Sequence, residues 1–332
     1  MMHLSEAEVP TEMRAQCVVA HGEQLQLKVV NLPIPNPHEV LVKVHACALN
    51  FGDLLLIKGS YQERPELPFV LGMEFSGEVV SVGAAVTSLV PGDRVHSYSG
   101  FGGLGEYVAV SADICHKIPA TMSFSEAAAF PVGYGTSHLA LDYRARLQPG
   151  ERLVVTGAAG GVGLTAVELG KLMGAEVVAI ARGADKLETA RKFGADHLLD
   201  SETTDLREAV KALGGADVVY DVVGGDQFRA LMRATNPDGR LIPLGFASGD
   251  VPQIPANHLL VKNLTVIGYY WGGYSKVNPK VLGDSLQTLL GWWQEGHIQP
   301  HISHELPFED ANAALDLLRT RKATGKVVVR VS

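Results

Sequence analysis

Only three of the 332 residues are cysteines, Cys17, Cys47 and Cys115, and they lie far apart in the chain. Such spacing offers no disulfide framework and no C-x-x-C metal site, so a reducing cytoplasm is the expected compartment. Positive charge is also scarce: 28 Lys and Arg face 36 Asp and Glu, for a formal net charge of −8. This balance disfavours nucleic acid or an anionic membrane surface as a main partner. A site for a phosphorylated ligand must then be locally basic against the global field. No uninterrupted apolar run approaches the length of a membrane span. Residues 1–12 mix acids with apolar residues and lack a basic start followed by an apolar run, so no signal peptide is expected. No internal repeat or low-complexity segment stands out. What remains, 46% apolar and 19% charged, is ordinary for a soluble globular chain with room for two domains, each burying its own core.

Two textures divide the sequence. Up to about Pro131, short β-runs at 14–20, 40–48, 76–82, 94–98 and 107–110 are separated by Gly and Pro turns. From about Gly133 to Gly273, apolar strands at 153–156, 176–181, 197–199, 217–222, 240–245 and 264–269 alternate with helices that include 184–193, 206–213 and 226–234. Repeated strand–helix alternation with apolar strands means a parallel sheet covered on both faces. A last portion holds a helix at 279–295, a strand at 302–306, a helix at 308–321 and a strand at 326–331.

The run Leu153-Val154-Val155-Thr156-Gly157-Ala158-Ala159-Gly160-Gly161-Val162-Gly163 carries the strongest chemical signal. An apolar strand feeds a glycine-dense turn, and an amphipathic segment over 161–173 follows, with Val162, Thr165, Ala166, Leu169 and Leu172 on one face. Glycines let the backbone approach a pyrophosphate, and the N–H groups of the new helix point at the anion. The turn reads Ala158-x-Gly160-x-x-Gly163, with Ala in place of the first Gly of the usual fingerprint. A literal G-x-G-x-x-G also occurs at Gly100, Gly102 and Gly105, but it leads into the strand pattern Glu106-Tyr107-Val108-Ala109-Val110. No helix N-terminus awaits a phosphate there, so it reads as a loop.

The end of the second strand, about 20 residues on, selects the cofactor. An NAD site places an acid there for the ribose 2′-OH. Here the strand ends Val178-Ala179-Ile180-Ala181-Arg182-Gly183, with Lys186 one helical turn further. Two cations and no carboxylate at the strand end suit a 2′-phosphate, since Arg offers a planar fork to phosphate oxygens. The alternative is a solvated basic start to a surface helix, and Asp185 softens the contrast. The balance favours NADPH over NADH.

Further motifs extend the pattern: Pro33-x-Pro35-x-Pro37-x-Glu39-Val40-Leu41-Val42, Leu49-Asn50-Phe51-Gly52-Asp53, Leu71-Gly72-Met73-Glu74-Phe75-Ser76-Gly77, Pro91-Gly92-Asp93-Arg94-Val95 and Thr324-Gly325-Lys326-Val327-Val328. With these the chain resembles, over nearly its whole length, the medium-chain dehydrogenase/reductase superfamily and, within it, the zinc-free NADPH:quinone oxidoreductase family. The resemblance implies an α/β fold. A GroES-like β-rich catalytic domain would take residues 12–132 and 274–332, and a Rossmann doubly wound parallel sheet would take residues 133–273. The return of the last portion to the first domain rests on that resemblance alone.

Zinc alcohol dehydrogenases of the superfamily hold their catalytic zinc with a Cys at the position of Asn50, a His at Met73 and a Cys near Pro131. Only the neighbouring Glu74 persists here, and the structural-zinc cysteine lobe is missing. Zinc needs about three protein ligands from Cys, His or a carboxylate, so no catalytic metal is expected. His297, His301 and His304 form a local cluster, but Pro300 breaks any helix that would align them. They read as surface or packing residues.

In zinc-free members the residues matching Asn50, Tyr61 and Thr136 line the cleft beside the nicotinamide. Asn50 and Tyr61 are candidate donors to an oxygen that develops negative charge, and Tyr61 is a candidate proton source. Asp53 is expected to bond backbone in the Asn50–Asp53 turn. The resemblance places Gly160, Gly161 and Val162 at the pyrophosphate. It puts Asp221, Val222, Val223, Gly224 and Gly225, together with Leu244, Gly245 and Phe246, at strand ends where the adenosine and nicotinamide ribose pass. Arg182 and Lys186 are the 2′-phosphate candidates. Two departures stand out: Leu55 replaces the group's second cleft tyrosine, and Ser201 replaces a tyrosine common near the 2′-phosphate. Lys326 is left open between cofactor contact and strand end.

The expected activity is zinc-independent transfer of hydride from NADPH to a quinone or an α,β-unsaturated carbonyl. The resemblance implies a homodimer, with the strand at 264–269 as a candidate edge for continuing the sheet across a two-fold axis. The alternatives are an enoyl-thioester reductase, which needs a basic patch for coenzyme A phosphates, and a low-turnover NADPH-binding protein of the crystallin or RNA-binding kind. The charge balance argues against RNA.

Overall fold

The computed structural model describes residues 10–332, so the opening stretch read for a targeting signal lies largely outside the described residues. By packing, the chain divides into two compact units. The first comprises residues 10–129 with His304–Lys322 and Val327–Ser332, and the second comprises Phe130–Ser303 and Ala323–Lys326. No helix among the described residues is long and apolar enough to cross a membrane.

The first unit is built from antiparallel sheets. Its central strand, Glu39–Leu49, is buried along most of its length because it is paired on both sides. Glu74–Val82 covers one side, while Tyr107–Ser111 and Val327–Arg330 share the other. That strand ends at Asn50, where the helix Phe51–Lys58 begins, and Ala48 stands opposite Glu74. This register is what delivers Asn50 and Glu74 to one place. A smaller sheet orders Gln26–Asn31, Glu12–Val18 and Phe69–Val70. The Gly100–Gly105 stretch is a loop, as its context predicts, bonded by backbone to Val70, Leu71 and Gly72 before the strand Tyr107–Ser111.

In the second unit six parallel strands lie in the spatial order His197–Asp200, Glu176–Ala181, Arg152–Thr156, Ala216–Asp221, Thr235–Pro243 and Thr265–Val266. In sequence terms this is 3-2-1-4-5-6, the doubly wound order with its switch point between the strands Arg152–Thr156 and Ala216–Asp221. The central strands are apolar on both faces because helices cover both. Val154, Val178, Ile180, Val219 and Leu241 form one core cluster with Phe228, Leu231, Leu206 and Val210 from the helices.

Three expectations change. The helix Gly161–Leu172 is buried nearly all round, from Gly163 through Leu169 and Gly170, because the helix Pro131–His138 packs against it; Leu172, expected on its inner face, is exposed. The strand expected over 264–269 pairs only as Thr265–Val266, although it does form the sheet edge. The helix Pro279–Gln294 packs in the second unit, where Ser285 Oγ lies 2.8 Å from His138 Nδ1 and Trp292 meets the His138 ring edge-on. By packing, the return to the first unit starts at His304, after this helix.

Candidate active site

Two constellations carry the predicted residues, one in each unit. In the second unit the strand Arg152–Thr156 ends in a turn that tolerates little beyond glycine. Gly157 has φ +59°, and a Cβ on Gly163 would lie 2.2 Å from Gly157 O. The helix Gly161–Leu172 then starts at Gly160 with no side-chain cap, so no side chain of the cap residue accepts from its first amides. The segment Thr324-Gly325-Lys326 runs along this turn: Gly325 N–H donates to Ala159 O at 2.8 Å, and Lys326 Cδ lies 3.0 Å from where a Gly161 Cβ would be. Lys326 is 3% exposed, a rare burial for a lysine. Its side chain thus lies along the glycine turn, and the residue itself opens the strand Lys326–Arg330.

Beside the turn, the ends of the strands Arg152–Thr156 and Ala216–Asp221 are tied together. Thr156 Oγ1 donates to Asp221 Oδ1 at 2.5 Å and accepts from Val222 N–H at 3.0 Å. Asp221 also accepts from Val223 N–H (3.3 Å) and Gly224 N–H (2.9 Å). Burial pushes this carboxyl above its ordinary range while those donors pull the other way. Val222 O and Val223 O accept from Ala247 and Ser248 N–H, so the Val223 and Phe246 loops are zipped together. Phe246 is 40% exposed.

At the end of the second strand Arg182 is half exposed, with Nε 3.3 Å from Glu202 Oε1. Asp200 accepts from Gly183 N–H (3.2 Å) and Glu202 N–H (3.0 Å), and Ser201 N–H donates to Ala181 O. Sequence reasoning missed Asp200 and Glu202. In a 3-2-1 sheet the third strand's end lies beside the second's, so acids at 200–202 belong to the same corner. Lys186 is half-buried in the first turns of the helix Ala184–Lys192.

Thr136 sits in the helix Pro131–His138, and its carbonyl accepts from Tyr269 Oη at 3.1 Å. A hydroxyl network holds that helix on the turn. Ser137 Oγ donates to Val162 O and contacts Thr165 Oγ1 and Tyr220 Oη at 2.8 Å each, while Thr165 Oγ1 donates to Gly133 O at 3.0 Å. No periodicity foretells this network, because its members are brought together from two helices and a strand far apart in sequence.

In the first unit Tyr61 and Met73 pack against Gly52, two residues after Asn50. A Cβ on Gly52 would meet Met73 Sδ at 2.7 Å and Tyr61 Cε2 at 3.3 Å. Asn50 Nδ2 donates to Glu74 Oε1 at 2.9 Å, with a longer contact of 3.4 Å to Ala48 O. A carboxylate only accepts, so Glu74 fixes which way the amide faces. Asp53 is buried and accepts from Asn50 N–H at 2.8 Å, the backbone role expected of it. The donor set at this place is therefore an amide, a thioether and a carboxylate engaged with the amide, which does not fit a catalytic zinc. His297 pairs with Glu295, and His301 bonds Thr324 and packs on Phe193. Among the described residues no group of three or more His, Cys, Asp or Glu is arranged to hold a metal ion.

Comparison with known proteins gives a consistent result. Residues 36–120 match the family described as alcohol dehydrogenase GroES-like domain, and residues 161–285 match the family described as zinc-binding dehydrogenase. Quinone oxidoreductase-like protein 2 homolog of Nematostella vectensis is 43% identical over 297 residues, covering 88% of this chain and 81% of that protein. The quinone oxidoreductase of Thermus thermophilus, solved also in complex with NADPH, superposes with a TM-score of 0.85 at 33% identity, over 96% of this chain and 100% of that one. A mycobacterial protein solved in complex with NADPH gives a TM-score of 0.90 at 29% identity, over 96% and 99%.

Proposed function

This chain belongs to the quinone oxidoreductase family of the medium-chain dehydrogenase/reductase superfamily, and from that premise we propose that it catalyses metal-independent reduction of a quinone or an α,β-unsaturated carbonyl by NADPH. It is an oxidoreductase by family. The finer assignment rests on its own residues.

The residues at the glycine turn fit a dinucleotide. Gly160, Gly161 and Val162 would receive the pyrophosphate, with Lys326 supplying positive charge beside Gly161. Arg182 and Lys186 would take the 2′-phosphate, and the loops of Val223 and Phe246 would hold the ribose and adenosine portions. When bound, the cofactor supplies the hydride that reduces the substrate.

The chain's own contribution is polarisation and proton supply. Asn50, oriented by Glu74, turns an amide N–H from its long 3.4 Å contact with Ala48 O to the substrate oxygen. Tyr61 donates its hydroxyl proton to the oxygen or carbon that gains charge. Thr136 borders the nicotinamide end. The observation that carries this reading is the Asn50–Glu74 hydrogen bond. Where the zinc enzymes need a thiolate, this chain has an amide bonded to its neighbouring carboxylate, which leaves polarisation to hydrogen bonds. A homodimer formed across the Thr265–Val266 edge, beside the exposed Leu260 and Val261, belongs to the same proposal.

The test is NADPH consumption over a panel of ortho- and para-quinones, small enones and enoyl thioesters. Turnover of quinones or enones is the expected result. Turnover confined to enoyl thioesters would replace the substrate assignment, and binding of NADPH with no turnover of any of the three would remove the catalytic one.

A further inference from the structure

The helix that opens at the phosphate turn carries one acid inside the second unit, Glu168, which the reaction above does not use. Tyr134, 1% exposed, donates its hydroxyl to Glu168 Oε2 at 2.6 Å. The other oxygen, Oε1, accepts from Gln299 N–H at 3.1 Å. Each contact leads to the cofactor turn. Tyr134 lies in the helix that bears Thr136 and the Ser137 network. Gln299 precedes His301, whose carbonyl accepts from Lys326 N–H and whose ring bonds Thr324, the residue before the Gly325 that bonds Ala159.

We infer that Glu168 is a positioning residue for dinucleotide binding: its carboxylate fastens Tyr134 and the 299–301 segment to the cofactor helix, and loss of its negative charge loosens the turn. The inference rests on the dinucleotide reading above. Its chemistry is a matter of donors and acceptors. An ionised carboxylate accepts from both partners at once. Protonation removes the charge that strengthens both bonds and turns one acceptor site of the carboxyl into a donor, so this exchange weakens its hold on Tyr134 and Gln299.

Burial pushes Glu168 up to about 7, so this exchange falls near neutral pH. The other titratable groups on the surrounding elements have partners of their own. On the same helix Lys171 pairs with Asp196; on the Tyr134 helix His138 bonds Ser285; His297 pairs with Glu295 and His301 bonds Thr324. Burial holds His138 and His301 below the usual imidazole range.

The experiment compares NADPH dissociation constants of wild type and Glu168→Gln by fluorescence titration across a pH window centred on about 7. The ratio of the two constants cancels titration of the ligand's own phosphate. The variant is expected to bind about three- to tenfold more weakly above that pH, the worth of about one hydrogen bond, and equally below it. A Tyr134→Phe variant, which removes one donor to the carboxylate, is expected to move the wild-type transition to higher pH, and it serves if Glu168→Gln does not fold. A ratio that stays constant across the window, or an unmoved transition in Tyr134→Phe, would overturn the inference while leaving the cofactor reading intact. A wild-type chain that binds NADPH at no pH would overturn both.

Discussion

Removing the Arg182 guanidinium tests the choice of cofactor at the corner where it is made. Arg182 follows the strand Glu176–Ala181 and is half exposed, 3.3 Å from Glu202. A charge-assisted hydrogen bond to a phosphate oxygen contributes about 1.5–3 kcal/mol. Surrendering an exposed ion pair of this kind costs at most about 1 kcal/mol. The net of about 0.5–2 kcal/mol corresponds to about two- to thirtyfold in affinity. Arg182→Ala is therefore expected to weaken NADPH by that factor and, since NADH has no 2′-phosphate, to change NADH by less than about twofold. Adding Lys186→Ala should widen the gap. Glu202→Gln removes the competitor and should tighten NADPH by up to about fivefold, less at high salt. Fluorescence titrations of both cofactors at low and high ionic strength read all of these. Equal losses for NADPH and NADH would refute the reasoning and turn attention to Asp200 and Glu202 as ribose-binding acids.

Gly163→Ala places a methyl group 2.2 Å from Gly157 O, so the turn must open. Strain of this kind costs about 1–3 kcal/mol, and cofactor affinity should fall at least about fivefold with the sheet retained by circular dichroism; undiminished affinity would mean that the turn is not the cofactor site. Tyr61→Phe keeps the ring against Gly52 but removes the proposed proton donor, and kcat should fall about a hundredfold or more with the NADPH dissociation constant unchanged. An unaltered kcat would take Tyr61 out of the chemistry.

What could be read from the sequence follows the range over which each feature is determined. The strand, glycine turn and helix at 152–172 are contiguous, so glycine spacing and apolar runs reveal them directly, and the same local logic identifies the Gly100–Gly105 stretch as a loop that leads into a strand. Asn50 was legible as a residue but not as a partner of Glu74, because that bond depends on the sheet register that sets Ala48 opposite Glu74. Asp200 and Glu202 join Arg182 only once the strand order is known. The Ser137, Thr165 and Tyr220 hydroxyls look like ordinary helix and strand residues until packing brings them within 2.8 Å. The apolar run at 264–269 reads as a full strand, yet its ladder covers Thr265 and Val266, opposite Arg240 and Leu241, and ends with the bond from Ile267 N–H to Leu241 O. The helix Pro279–Gln294 has an apolar face of Leu282, Leu286, Leu289 and Leu290, but nothing in its periodicity says which unit that face will join.

The central claim is that this chain reduces its substrate with hydrogen-bond donors in place of a metal. Its most direct test is the rate of NADPH oxidation by a quinone or enone before and after exhaustive chelation, with the zinc content of the same samples measured. Full turnover at well below one zinc per chain, unchanged by the chelator, is the predicted result. One tightly held zinc per chain, whose removal abolishes turnover and whose return restores it, would contradict the account.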